Sequence, residues 1–192
     1  MKAIVGIDVG VHGALALVAQ ENDAAPTIVD VIDIPVVGSG AKERVNVLLI
    51  QEWLLRHKPL TAFLERTQAF PLQGRSSAFK FGRATGALEA VITLCAIPLE
   101  IIEPSIWKRY FHLPGKDKEA ARLRSITLFP AAHQLFARKR DHQRSEAVLI
   151  ALYGLRIPQP VTRTHDETPT ASNAAVAEDT LIALTVNKGD AP

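Results

Sequence analysis

The chain has 192 residues, 47% of them hydrophobic, one cysteine and a formal net charge of +2. That length and apolar content suit one α/β domain and exclude a wholly disordered chain. No apolar run reaches the ~18–20 residues of a membrane helix, and the lone Cys95 excludes an intrachain disulfide or a multi-cysteine zinc site.

The N-terminus, MKAIVGIDVG, reads as a strand rather than an export signal, so a reducing cytoplasm is the expected compartment. Residues 2–9 form a buried strand, Gly10 and Gly13 turn the chain, and 14–20 and 27–34 are two further strands. Their short connections predict an antiparallel meander. Pro35 and Gly38-Ser39-Gly40 break the chain. Val45, Leu48, Leu49 and Trp53 then predict an amphipathic helix over 43–57, which Pro59 ends.

Residues 60–65 (LTAFLE) read as a buried fourth strand, and Pro71 and Gly74 mark a loop. A long helix over 76–95 carries Gly82 and Gly86 in a small-xxx-small pattern. A fifth strand covers 97–103 and closes at Pro104. A short turn at 105–111 and a loop at Pro114-Gly115 lead to helices at 117–128 and 143–156, separated by Pro130. This order predicts an α/β fold: a mixed five-stranded sheet flanked by helices, over a domain of residues 1–157. Residues 158–192, rich at first in Pro, Thr, Ser and Ala, read as a flexible C-terminal tail, with VAEDTLIALTV as a short helix or added strand.

Charge is unevenly spread. Residues 105–144 hold ten Lys/Arg against three Asp/Glu, a local +7, while the remainder sums to −5. Such a basic segment suits a phosphate-binding face; a set of solvated helix surfaces is the other reading.

Three acids stand out against this background. Asp8 follows an apolar run and precedes a glycine turn, where a strand surfaces from the core. Glu65 completes an apolar strand, although Glu is depleted in strands and seldom buried unpaired. Adjacent Arg66 points to the opposite face. Glu146 heads the apolar face formed with Leu149, Ile150 and Tyr153. Asp141, as a helix N-cap, and His142, at i−4 from Glu146, are candidates to join them. Carboxylates so placed suit divalent cations, and hard oxygen ligands favour Mg²⁺ or Mn²⁺.

GIDVG, FLERTQAF, SSAFKFGRATGALEAV, IIEPSIWKRYF, GKDKEAAR and SEAVLIALYG occur in the order seen in RuvC-type Holliday-junction resolvases. Over about residues 3–156 the chain resembles that family, and within it the phage, prophage and chloroplast branch. The resemblance implies a ribonuclease-H-like fold, a homodimer, and Mg²⁺-dependent paired nicking of four-way DNA junctions. It places Asp8, Glu65 and Glu146 among the catalytic, metal-binding acids. The acid that the bacterial proteins carry three residues before the last one is Gln143 here; Asp141, the nearest acid, takes its place as the further catalytic ligand, with His142 as its rival. Lys108, Lys116 and Lys118 match basic residues at the scissile phosphate or along the DNA, Lys118 as a catalytic candidate. Phe70 matches an aromatic able to stack on opened bases. Arg75, Lys80 and Arg83 are candidate phosphate contacts, and the helix at 76–95 is the implied dimer surface.

Two other readings compete. The D-x-G-x-x-G pattern at residues 8–13 also resembles the phosphate loop of actin-like ATP-binding proteins, although the chain is short for two such lobes. The replaced acid at Gln143 suits a non-catalytic protein that binds branched DNA, such as a decayed resolvase.

Overall fold

In a computed structural model that describes residues 1–68, 74–113, 115 and 118–157, with Ala41 and Lys118 as backbone, three strands open the chain. They are β1 (Lys2–Asp8), β2 (Ala14–Gln20) and β3 (Thr27–Asp33), paired as an antiparallel meander running from Lys2↔Gln20 to Asp8↔Ala14. Gly13 makes the first turn possible: a Cβ there would lie 2.1 Å from the Asp8 carbonyl oxygen. The D-x-G-x-x-G glycines thus serve a tight hairpin.

A small hairpin, β4 (Val36–Val37) with β5 (Arg44–Val45), follows. It occupies the start of the predicted 43–57 helix, which begins later as α1 (Val47–His57) with Asn46 accepting from the Leu49 N–H. The buried stripe is correspondingly Ile50, Trp53 and Leu54, whereas Leu48 is 66% exposed. Of the predicted stripe, Trp53 is buried as expected and Val45 is buried as a strand residue, while Leu48 and Leu49 face solvent.

β6 (Thr61–Glu65) pairs parallel with β1, and β7 (Leu99–Ile102) pairs parallel with β6, the crossover being α2 (Arg75–Leu94). The sheet order is β3-β2-β1-β6-β7, which makes β1 and β6 interior strands. The predicted turn at 105–111 is a helix, α3 (Pro104–Tyr110), where Pro104 suits the first helical position. Next come α4 (Lys118–Leu128), two 3₁₀ segments (Pro130–Phe136 and Lys139–Asp141) and α5 (His142–Arg156). The predicted tail, 158–192, lies outside the described residues.

Side-chain alternation divides the sheet between two cores. Ala3, Val5, Ile7, Ala62 and Leu64 pack with Trp53, Leu54, Leu88 and Ile92 of α1 and α2. Ile4, Ala16, Val18 and Phe63 pack with α5, Trp107 of α3 and Ala121 of α4. α5 lies between the sheet and α4, and its residues 145–152 are all buried. Gly6 sets how closely it sits on β1: a Cβ there would fall 2.2 Å from Ala147 O and 2.3 Å from Ala151 N.

Candidate metal centre

The same alternation directs the acids. Ile4 faces α5, so Asp8, four residues on, faces it too; Phe63 faces α5, so Glu65 does as well. β1 and β6 run parallel with Ile7 opposite Leu64, which brings Asp8 and Glu65 to neighbouring strand ends. Glu146 enters from the opposite layer, one turn into α5, where the Gly6 contact brings helix and strand together. Asp8 and Glu146 are 8% and 9% exposed, and one carboxylate oxygen from each of Asp8, Glu65 and Glu146 lies within 4.8 Å of the other two.

Three carboxylates that close repel one another, and the effect is visible at Glu65. Burial, joined by the charge of Glu146, pushes its carboxyl up to about 6, against the opposing pull of Lys108 and Trp107. An all-oxygen donor set, crowded and partly desolvated, fits a hard divalent cation, whose charge relieves that repulsion.

α3 supplies two consecutive residues to this cluster. Trp107, 0% exposed, donates its indole N–H to Glu65 Oε1 at 3.0 Å. Lys108 places Nζ 3.5 Å from Glu146 Oε1 and 5.0 Å from the centre of the Trp107 ring. Trp107 was not among the sequence candidates. Its signal was present in IIEPSIWKRYF, because a buried indole N–H needs an acceptor.

No protein-family model matches the chain, and no curated protein sequence matches it at a significant level. Solved structures do. Thermus thermophilus RuvC in complex with a Holliday junction substrate is 23% identical, with a TM-score of 0.61 over 80% of this chain and 92% of that one. Another Thermus thermophilus RuvC structure gives 22% identity and a TM-score of 0.58 over 80% and 93%. The chain has the ribonuclease-H-like fold of RuvC.

On this RuvC fold the other sequence candidates fall in different places. Asp141 stands at the α5 N-cap and is buried, but it lies outside the 4.8 Å cluster, and its carboxylate turns back to Arg138. Arg138 N donates to Oδ2 at 2.8 Å and Arg138 Nη2 to Oδ1 at 2.7 Å. Burial pushes this carboxyl up, but the hydrogen bonds and charge of Arg138, with Arg144, outweigh it, and it sits below the ordinary value. His142 also lies outside the cluster and brings Nδ1 to 3.1 Å from Lys139 O.

Arg75 and Arg83 are exposed on α2, and Lys80 donates to Gly40 O at 3.4 Å. Phe70 and Lys116 lie outside the described residues, as does the Lys118 side chain. Part of the basic segment is spent internally: besides Arg138, Arg122 pairs with Glu119, and Arg144 grips Asp33 with two hydrogen bonds of 2.6 Å. Arg66 pairs with Glu103, ahead of α3. Among the described residues no helix is long and apolar enough to cross a membrane.

Proposed function

We propose that the protein is a divalent-metal-dependent endonuclease that nicks four-way DNA junctions in pairs, as a homodimer. The observation that carries the reading is the meeting of Asp8, Glu65 and Glu146, from two strands and a helix, on a fold shared with RuvC. One of the similar RuvC structures holds a Holliday junction substrate.

Asp8, Glu65 and Glu146 hold Mg²⁺, with Mn²⁺ able to replace it. Bound there as a pair, such ions supply an activated water and charge neutralisation at the scissile phosphate. His142 is the further ligand. It lies one turn before Glu146 on the same helix, and an Nδ1–H bond to Lys139 O leaves Nε2 with its lone pair for a metal. Lys108, beside Glu146, neutralises part of the acidic charge in the free protein and faces the phosphate when DNA is present. Lys118 is a second catalytic cation. Phe70 stacks on opened bases, and Arg75, Lys80, Arg83 and Lys116 contact phosphates, so binding weakens with salt.

The homodimer rests on α2. Phe79 and Leu94 are 68% and 79% exposed, and between them the small residues Gly82, Gly86 and Ala90 are exposed along the same stripe. A second copy of the chain covers that stripe, and two centres give two nicks.

The test is cleavage of a synthetic four-way junction. In Mg²⁺ the chain nicks opposing strands. Asp8→Asn, Glu65→Gln and Glu146→Gln each reduce the rate by roughly a thousandfold or more. Intact junctions with Mg²⁺ and Mn²⁺, or full cleavage by Asp8→Asn, overturn the reading. Junction binding that survives EDTA, without nicking in any metal, selects the non-catalytic binder instead.

A further inference from the structure

We infer that Trp107 is a positioning residue: its indole N–H holds the Glu65 carboxylate in the acid cluster against the charge of Glu146. The inference rests on the metal-site reading above and extends it to a residue that touches neither metal nor DNA.

The indole is locked. Trp107 is fully buried in the core formed with Ile102, Phe111, Phe129 and Leu149, so its ring has one orientation and its N–H meets Glu65 Oε1 at 3.0 Å. The helix that carries it is locked as well. Pro104 begins α3, and Glu103 just before it pairs with Arg66, the residue after Glu65. The Arg66 N–H in turn donates to Ile102 O at 2.8 Å. Glu65 is thus tied to α3 at both sides, through Arg66 to Glu103 at the head of the helix and directly to Trp107 within it.

Glu65 needs such a hold. Its side chain has three rotatable bonds, and Glu146 repels it. Free of the indole, the carboxylate gains by swinging out of the cluster towards water. With the indole, one oxygen is fixed and the carboxylate stays beside Asp8 and Glu146. Partners of this kind hold metal ligands in place, and losing one lowers metal affinity about 10–100-fold.

Mn²⁺ binding to the full chain, followed by electron paramagnetic resonance, tests this without reference to cleavage. Two variants are compared with the parent. Trp107→Phe removes the N–H and part of the ring. 3-Benzothienylalanine at position 107 places sulfur where the N–H was and keeps the shape, which guards against a variant that fails to fold.

In both, the Mn²⁺ dissociation constant is expected to rise about 10–100-fold, with the melting temperature of the benzothienyl chain kept. In a Glu65→Ala background, where no side-chain oxygen is left to accept from the indole, the same replacement adds no further loss, because the effect passes through Glu65. A benzothienyl chain that binds Mn²⁺ like the parent overturns the inference and leaves the metal site standing. So does an equal loss in the Glu65→Ala background. A parent chain that binds no Mn²⁺ overturns the metal-site reading itself, and the inference with it.

Discussion

Arg138 takes hold of both oxygens of Asp141, one through its backbone N–H at 2.8 Å and the other through Nη2 at 2.7 Å. The nearest acid upstream of Glu146 is thus engaged in ordering the entry to α5. The two candidates for a further ligand separate in experiment. Asp141→Asn is expected to cost about 1–3 kcal/mol of stability and to leave Mn²⁺ affinity unchanged. His142→Ala is expected to weaken Mn²⁺ at least about tenfold with little change in melting temperature. Titration of both variants checks this; the opposite pattern makes Asp141 the ligand.

The same pair makes a pH statement. Asp141 has a folded-state pKa below its ordinary value. Its contribution is therefore complete above the unfolded value of about 4 and fades as pH falls through the lower, folded one. Urea melts across pH 2–7 should show the parent and Asp141→Asn converging at the acid end. A constant gap down to the lowest pH contradicts the assignment.

Glu65 works in the other direction. Its carboxyl is raised from 4.5 to about 6, so the metal-free fold prefers it protonated. The stability it provides is complete below about 4.5 and lost as pH rises through about 6. The loss amounts to about 2 kcal/mol. In EDTA at pH 8, Glu65→Gln should thus melt above the parent, and the gap should close near pH 4. Divalent metal should reverse the order, because it stabilises only a chain that binds it.

Gly6 governs the approach of Glu146 to Asp8. Gly6→Ala puts a methyl group against Ala147 O and Ala151 N, both backbone atoms that cannot swing aside. The expected cost is more than about 3 kcal/mol, with lost Mn²⁺ binding in whatever remains folded. A variant that melts like the parent shows that α5 has room to retreat.

Gly82 offers the reverse case. A Cβ at Gly82 meets nothing within 4 Å, so Gly82→Arg gains helix propensity of up to about 1 kcal/mol while placing a charge on the proposed dimer stripe. Light scattering should show a monomer that melts no lower than the parent protomer. A dimer that persists places the interface elsewhere.

Much of this protein was legible along the chain. Short apolar runs in KAIVGIDV and LTAFLE, bounded by glycine or proline, located the strands and put Asp8 and Glu65 at their ends, because a run of that length and composition is a local signal of a buried strand. Glu146 was legible for a related reason: its i+3, i+4 and i+7 neighbours are apolar, so its face of the helix points inward. The phase of α1 was misread at its edge, where Val45 belongs to a two-residue strand too short to show a period.

What the tertiary structure alone decided is which of these groups meet. Trp107 reaches Glu65 across 42 residues, Arg144 reaches Asp33 across 111, and Gly6 touches the backbone of α5 some 140 positions away. No periodicity encodes such approaches, since they follow from packing two cores against one sheet. The fate of Asp141 shows the limit most clearly. Its acidity and its place before α5 were plain in the sequence, but whether it turned towards Glu146 or back to Arg138 depended on the 3₁₀ turn Lys139–Asp141, which sets Arg138 within reach of its carboxylate.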